Sequence, residues 1–406
     1  MTVTQPDVSV IIGAYEAMPY LVECLASLKA QTLDPARIEV IAVDDGSTDG
    51  TGDCLEEFAA RAPMPVTVIR QENSGGPSGP RNVGLGKATG RYVFFLDADD
   101  RLGDEALERM VAMADRNGTD VVLGRIEGVN RGAPKSMWHR TLERTDVFSS
   151  NIKFTLSAQK LFRRELLTRH NMRFDESLFT GEDALFTMEA YLRADGVSVL
   201  ADYTCYYLVG REDGKQVTKS GGYTLRFDSA RSLMNLIAEM VPPGPRRDVL
   251  MVRPFAVTLL PQFGPKFLRD SDKVRRHKME LAAPLLAAHW HEGVARQLKV
   301  EERLRVHLVA TRQTERLLEV LKFTKAKKQP AALLEKKGRR LYLAYPYFRD
   351  AAAGIPDSVY LAGPREARGV PGYREDDNDS VLRRAARRLR RATRPERARA
   401  RARARV

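Results

Sequence analysis

The chain has 406 residues, 43% of them hydrophobic, and a formal net charge of +13. That is enough apolar residue for a large core in two or three domains, while no apolar run approaches the roughly 18 residues of a membrane span. Three scattered cysteines, Cys24, Cys54 and Cys205, exclude a disulfide scaffold or a cysteine-rich metal site and fit a reducing setting.

The charge is local. Residues 382–406 hold twelve arginines and one acid, Glu396, so +11 of the +13 lies in that tail. The body is close to neutral, which argues against a nucleic-acid-binding fold. A run of like charge reads as a solvated, disordered segment that attracts anionic lipid or polymer. Met1–Asp7 lacks the basic and apolar regions of a signal peptide, so a cytoplasmic protein is expected, peripheral at the inner face of the plasma membrane if the tail binds lipid.

Along the first half, short apolar runs alternate with helical patterns, as in a mostly parallel sheet with flanking helices. Val8–Ile12, Glu39–Val43, Val66–Ile69 and Tyr92–Leu96 read as four buried strands. Helices are expected at Pro19–Lys29, Thr51–Arg61, Arg81–Ala88 and Asp104–Asn117, then a strand at Val121–Gly124 and a helix at Asp183–Ala194. From Tyr223, leucines recur at helical spacing between prolines at 242, 243, 245, 254, 261, 265 and 284. The expected division is a catalytic domain at 1–222, a helical domain at 223–324, an irregular polar segment at 325–381 with a short strand near Leu341–Phe348, and the tail at 382–406.

In a parallel sheet the loops after all four strands share one edge, where such sheets bind ligands. Those loops are Gly13-Ala14-Tyr15-Glu16, then Asp44 to Gly50, Glu72 to Asn82, and Asp97-Ala98-Asp99-Asp100. Two aspartates one residue apart suit a hard divalent cation that also takes phosphate oxygens; the same acids could merely form a turn. Asp45 can accept from a base or ribose, the glycine-rich third loop lets backbone approach phosphate, and Arg81 at a helix start adds charge. Further along, Thr180-Gly181-Glu182-Asp183 reads either as a capped helix start with Thr180 as N-cap or as a carboxylate base at the rim.

Three other patterns carry less. Asp45-x-Ser47-x-Asp49-Gly50 with Glu56 imitates a calcium loop, but a strand precedes it where that motif needs a helix. Gly84-x-Gly86-x-x-x-Gly90 has the wrong spacing for a dinucleotide fingerprint. His289 and His291 fall on different faces of a helical pattern.

Taken in order, Val10-Ile-Ile-Gly-Ala-Tyr15, Val43-Asp-Asp-Gly-Ser-Thr-Asp49, Arg81-Asn82-x-Gly84, Asp97-Ala-Asp99 and Glu182-Asp183 resemble a family 2 glycosyltransferase, from Val8 to about Gln216. Within that family the chain is most similar to bacterial wall teichoic acid enzymes that attach N-acetylglucosamine to poly(ribitol phosphate). Asn73-Ser-Gly-Gly-Pro, the run from Gly128 to Met137, Ser157 with Lys160-Leu-Phe-Arg163, and Tyr206-Tyr207 leading to Arg211-Glu212 carry this likeness.

The resemblance implies a GT-A fold, a Rossmann-like mixed, mostly parallel sheet flanked by helices, followed by a helical C-terminal domain and a disordered basic tail. It implies that Gly13, Ala14, Tyr15, Asp45, Asn73 and Arg81 hold a UDP-sugar. Asp97 would contact ribose or metal, and Asp99 would ligate Mn²⁺ or Mg²⁺. Arg131, Lys160 and Arg211 would bind substrate, with Arg131 and Arg211 on acceptor phosphate or donor pyrophosphate. Glu182 would sit by the donor sugar, and Asp183 would deprotonate the acceptor hydroxyl of an anionic polymer with inversion. Another UDP-hexose, or a lipid-linked or capsular acceptor, is the near alternative; a non-catalytic polymer binder is the distant one. One departure stands out: the family's usual Pro-x-Tyr-Asn is Gly13-Ala14-Tyr15-Glu16 here.

Overall fold

The computed structural model describes residues 5–212, 222–336, 338–368 and 370–374, so the arginine-rich tail expected to be disordered lies outside the described residues. The chain divides into two compact units, Met1–Gln262 and Phe263–Val406.

The first unit opens with the expected alternation: β1 (Val8–Ala14), α1 (Leu21–Lys29), β2 (Ile38–Asp44), α2 (Thr51–Arg61), β3 (Val66–Arg70), α3 (Ser78–Lys87) and β4 (Tyr92–Asp97). These strands pair in parallel in the order β3-β2-β1-β4, with Gly13 opposite Asp97 and Ala14 opposite Asp44. The apolar runs of β1, β2 and β4 are buried on both sides, as a parallel strand between helices requires, whereas Val66–Ile69 of β3, expected to be buried, is only half-buried or exposed because β3 is the edge strand. Each fully buried Val or Ile contributes about 1.5–3 kcal/mol of transfer free energy.

The chain then adds β5 (Arg101–Leu102), α4 (Ala106–Asn117), β6 (Val121–Val129), β7 (Leu142–Thr145), β8 (Leu161–Arg163), α5 (Arg164–Arg169), α6 (Glu182–Arg193) and β9 (Val197–Val209). The sheet continues β4-β8-β6-β9-β5, with β7 also on β9. β8 runs antiparallel to both β4 and β6, and β6 runs parallel to β9, so the sheet is mixed. An aromatic cluster ties α6 to this sheet: Phe186 stacks on Phe174 at 4.1 Å and meets Phe95 of β4 edge-on at 5.7 Å.

Helices α7 (Tyr223–Met240) and α8 (Pro245–Arg253) complete the first unit. The sequence pattern groups them with the later helices because leucine periodicity runs on past residue 262, whereas their packing belongs with α6.

The second unit contains α9 (Asp272–His289), α10 (Glu292–Ala295), α11 (Val300–Ala310), α12 (Thr314–Lys325), β10 (Ala331–Glu335), β11 (Arg340–Ala344) and α13 (Pro364–Ala367). Pro284, read from sequence as punctuation, lies inside α9; burial of Ala282, Leu285 and Leu286 around it offsets the lost backbone bond. The strand near Leu341 exists, and it has an antiparallel partner in β10 that the sequence pattern did not suggest. Arg303 of α11 donates to the carbonyls of Ser358 and Leu361, tying the irregular stretch to the helices.

Candidate active site

The four parallel strands end level with one another, so their loops meet at one edge. The first two loops are laced together. Ala14 carbonyl accepts from Asp45 N at 2.8 Å, Ser47 Oγ accepts from Glu16 N, and Asp49 accepts from Met18 N and from Thr51. Glu16 has a φ of 47° and accepts from both Thr48 N and Thr48 Oγ1, so the residue that replaces the family's asparagine is a structural bridge. Tyr15 stays 53% exposed beside it, free to stack on a planar ligand.

Asp45 is buried, and its carboxylate accepts from Gln71 Nε2, Ser74 N and Ser74 Oγ. Asn73 Nδ2 donates to the Asp45 carbonyl at 3.0 Å, and Gly46 lies against it with a φ of +80°, where a Cβ would come within 2.8 Å of Asn73 N. Asp45 and Asn73 thus lock the second loop to the third. Gly13 lies under Pro80 and Arg81, with room for no more than a tight Cβ.

The Arg81-Asn82-x-Gly84 motif has a physical account. Gly84 lets α3 lie directly on β1, since a Cβ there would be 2.4 Å from Ile11. Asn82 pairs both ways with the Phe174 backbone, accepting from its N and donating to its carbonyl. Arg81 is 8% exposed, lies over the Phe174 ring, and donates to Asp97 Oδ1 at 2.8 Å and to Glu182 Oε1 at 3.1 Å. Its guanidinium is held by two protein carboxylates, which keep it firmly charged despite burial.

Asp97 also accepts from Gln159 Nε2 at 2.6 Å through its other oxygen. Asp99 lies next to it, and among the described residues no side chain donates a hydrogen bond to its carboxylate. Burial first, then Asp97, push its pKa up to about 6, while Arg211 and Arg131 pull the other way. Asp100, read from sequence as a turn-former, does more. It is 2% exposed and receives Tyr206 Oη at 2.8 Å and Val209 N at 2.7 Å; Tyr206 Oη in turn accepts from Asp97 N. Asp100 therefore bolts the acidic loop to the end of β9, with burial raising its pKa to about 8.

From the end of β9, Arg211 donates to the Glu16 carbonyl at 2.9 Å and lies over Tyr20, which brings it back to the first loop. Arg131 lies beside Gly210, just past β6. Both arginines therefore bear on Asp99 from outside the parallel half.

The second acidic pair sits across Arg81. The cap of α6 is Gly181, with a φ of +90°, and not Thr180; a left-handed backbone at that point favours glycine and leaves the Thr180 side chain for other partners. Burial and Asp183 lift the Glu182 pKa to about 7 against the pull of Arg81. Burial also raises that of Asp183, whose Oδ1 accepts from Ala184 N, with Arg81 and Lys160 opposing. Lys160 is 1% exposed and donates to the Ser157 carbonyl; burial lowers its pKa to about 7, partly offset by Asp183. Arg253 of α8 also feels the Asp183 charge. Gln159 and Arg253 were not singled out from sequence, and Tyr206 was noted only as part of the Tyr206-Tyr207 likeness, with no partner assigned. Gln159 carried a weak signal as the neighbour of Lys160; Arg253 carried none.

Among the described residues no three acidic, histidine or cysteine side chains cluster as a ready-made metal cage. The donor chemistry still fits a hard cation: among the described residues Asp99 offers a carboxylate with no competing side-chain donor, beside Asp97. Such a site leaves remaining ligand positions for diphosphate oxygens and water.

Comparison with known proteins bears on this geometry. Residues 9–173 match the glycosyl transferase family 2 domain, and residues 225–321 match the glycosyl transferase TarS linker domain. The chain is 42% identical over 212 residues to the poly(ribitol-phosphate) beta-glucosyltransferase of Bacillus spizizenii, covering 52% of this chain and 33% of that protein. It is 41% identical over 205 residues to the Staphylococcus aureus poly(ribitol-phosphate) beta-N-acetylglucosaminyltransferase TarS, covering 50% and 36%. It thus spans about a third of the length of these curated relatives. The crystal structure of S. aureus TarS residues 1–349 in complex with UDP-GlcNAc superposes with a TM-score of 0.71 at 28% identity, covering 84% of this chain and 97% of the other. With the strand-end loops, the Arg81 bridge and these matches together, the chain carries a family 2 glycosyltransferase domain of GT-A fold, followed by a TarS-type linker domain.

Proposed function

We propose that the protein transfers N-acetylglucosamine from UDP-GlcNAc to a hydroxyl of an anionic polyol-phosphate polymer such as poly(ribitol phosphate), with inversion at the anomeric carbon. The observation that carries this reading is the pairing of two acidic sites through one buried arginine, Arg81, at the ligand edge of the sheet. The likeness to TarS in complex with UDP-GlcNAc supports the donor.

In this reading Tyr15 stacks on uracil, Gly13 and Ala14 shape the floor, and Asp45 with Asn73 fixes the wall beside it. Arg131 and Arg211 lie near Asp99 and supply the positive charge that a diphosphate leaving group needs. Asp99, with Asp97, would hold Mn²⁺ or Mg²⁺, which when bound neutralises charge on the diphosphate. Asp183 takes the proton of the incoming hydroxyl; its raised pKa makes it a stronger base than an exposed aspartate. Lys160, buried beside it, sets its charge environment, and Glu182 lines the sugar end of the pocket.

UDP-glucose is the second donor to consider, because the B. spizizenii relative is a glucosyltransferase. The arginine-rich 382–406 we read as an electrostatic tether to anionic lipid or polymer at the inner face of the membrane. Salt-insensitive binding to anionic vesicles would contradict that, since exposed charges are screened over about 8 Å at physiological salt. The deciding experiment for the activity is a UDP-sugar panel with and without Mn²⁺, using poly(ribitol phosphate) as acceptor. Metal-dependent release of UDP with UDP-GlcNAc and polymer is expected; equal release without polymer would sink the acceptor.

A further inference from the structure

We propose that helix α7, the start of the linker domain, is part of the catalytic machinery: Arg226 and Ser229 are positioning residues that fix Thr180-Gly181-Glu182-Asp183 and so aim the base. This rests on Asp183 being the general base.

Three observations converge. Ser229 Oγ lies within hydrogen-bond reach of the Thr180 carbonyl, across from α7 on the loop before α6, and of the Leu225 carbonyl in its own helix, so its one proton is shared between the two. Arg226, one turn earlier on the same helix, donates through Nη1 to Thr180 Oγ1 at 3.0 Å. Gly181 packs so closely on Ser229 that a Cβ would lie 2.7 Å from Ser229 Cβ and Oγ. The loop is therefore gripped at its carbonyl, its hydroxyl and its Cα, all from one helix face.

The grip matters because α6 has no side-chain cap of its own. Gly181 has a φ of +90°, and α6 holds it only through its carbonyl, which accepts from Leu185 N at 3.1 Å, so the chain just before it has no anchor within α6. Contacts from α7 supply one. Glu182 and Asp183 are the next two residues, so a shift of the loop moves both carboxylates together. Catalysis is sensitive to such displacement, since a misplacement of about 1 Å can cost on the order of a hundredfold. A segment matched as a linker would then explain why the transferase fold and this helix occur as one compact unit.

The test uses the full chain with UDP-GlcNAc and poly(ribitol phosphate), in wild-type and Asp183→Asn backgrounds. Ser229→Ala and Arg226→Ala should each lower kcat about tenfold, the scale of one lost hydrogen bond, with donor KM held and the melting temperature lowered by no more than about 4 °C. Arg226→Lys, which keeps a donor to Thr180, should recover most of the rate. In the Asp183→Asn background each α7 variant should cost much less than tenfold, because the base is gone and only Glu182 is left to displace. Unchanged kcat in the single variants, an equal loss in both backgrounds, or a loss that follows the melting temperature would each overturn the proposal. Asp183→Asn turning over at near wild-type rate would be a separate failure, that of the base assignment, visible without any α7 variant. If Arg226→Ala fails to fold, Ser229→Ala carries the test alone.

Discussion

On the parallel side of the sheet, each polar residue of the site sits within a few positions of a strand end: Tyr15 after β1, Asp45 after β2, Asn73 after β3, Asp99 after β4. On the other side, Gln159 comes from just before a three-residue strand, Glu182 and Asp183 from a helix start, and Arg226 and Ser229 from the face of another helix. The first group is delivered by local chain geometry. The second depends on long-range packing, through the phenylalanine cluster and the Arg81 bridge. We assign the first to the nucleotide end of the donor and the second to the transferred sugar and the acceptor, and the predictions test whether that division holds.

The largest effect should come from Asp99→Ala, on the donor side. Loss of metal-dependent UDP-GlcNAc binding is expected, with transfer down about a thousandfold, on the scale of removing one transition-state electrostatic contact. Calorimetry with and without Mn²⁺ checks it; unchanged metal-dependent affinity would place the cation elsewhere.

Arg81→Met should break the bridge between the two sides. It leaves the buried Glu182 and the part-exposed Asp97 without the cation they share, at a cost of about 3 kcal/mol of stability, the low end for a broken buried pair. Both donor affinity and kcat should fall, in a denaturation and kinetic series. A variant that loses only donor affinity would mean that Arg81 serves a phosphate, as the sequence first suggests.

The pH dependence separates the sides further. Asp99 titrates near 6, raised by burial and by Asp97, so below that pH it carries a proton that a cation must displace. Apparent metal affinity should then fall by about tenfold per pH unit under pH 6. An ordinary exposed aspartate would hold its affinity to about pH 4. A flat profile from pH 7 to 5 would remove Asp99 from the site.

The smallest effect should be Asp45→Asn. It keeps the shape but weakens the grip on Ser74 N and Gln71, costing about 1–2 kcal/mol and a few-fold in donor KM, with kcat unchanged. A change in kcat would tie Asp45 to chemistry and blur the comparison.

The contrast also explains what could be read in advance. Val8–Ile12, Glu39–Val43 and Tyr92–Leu96 are legible because a strand buried on both faces must be a continuous apolar run, and parallel pairing then puts their ends level. Asp97, Asp99, Glu182 and Asp183 stand out because carboxylates are costly where they sit. Asp100 did not, since a third acid after Asp99 reads as a turn until Tyr206, 106 residues away, is seen to donate to it. Ser229 and Arg226 look like ordinary helix residues; nothing in their spacing says that they face Thr180. Arg81 was seen, but local sequence gives it charge without a partner, and only the fold supplies Asp97 and Glu182.

The division of labour is tested most directly by measuring UDP-GlcNAc affinity and turnover side by side in Asp183→Asn. The account predicts donor binding within about twofold of wild type and kcat reduced at least about a hundredfold, as for a missing general base. Turnover near the wild-type rate, or loss of donor binding in parallel with activity, would contradict it.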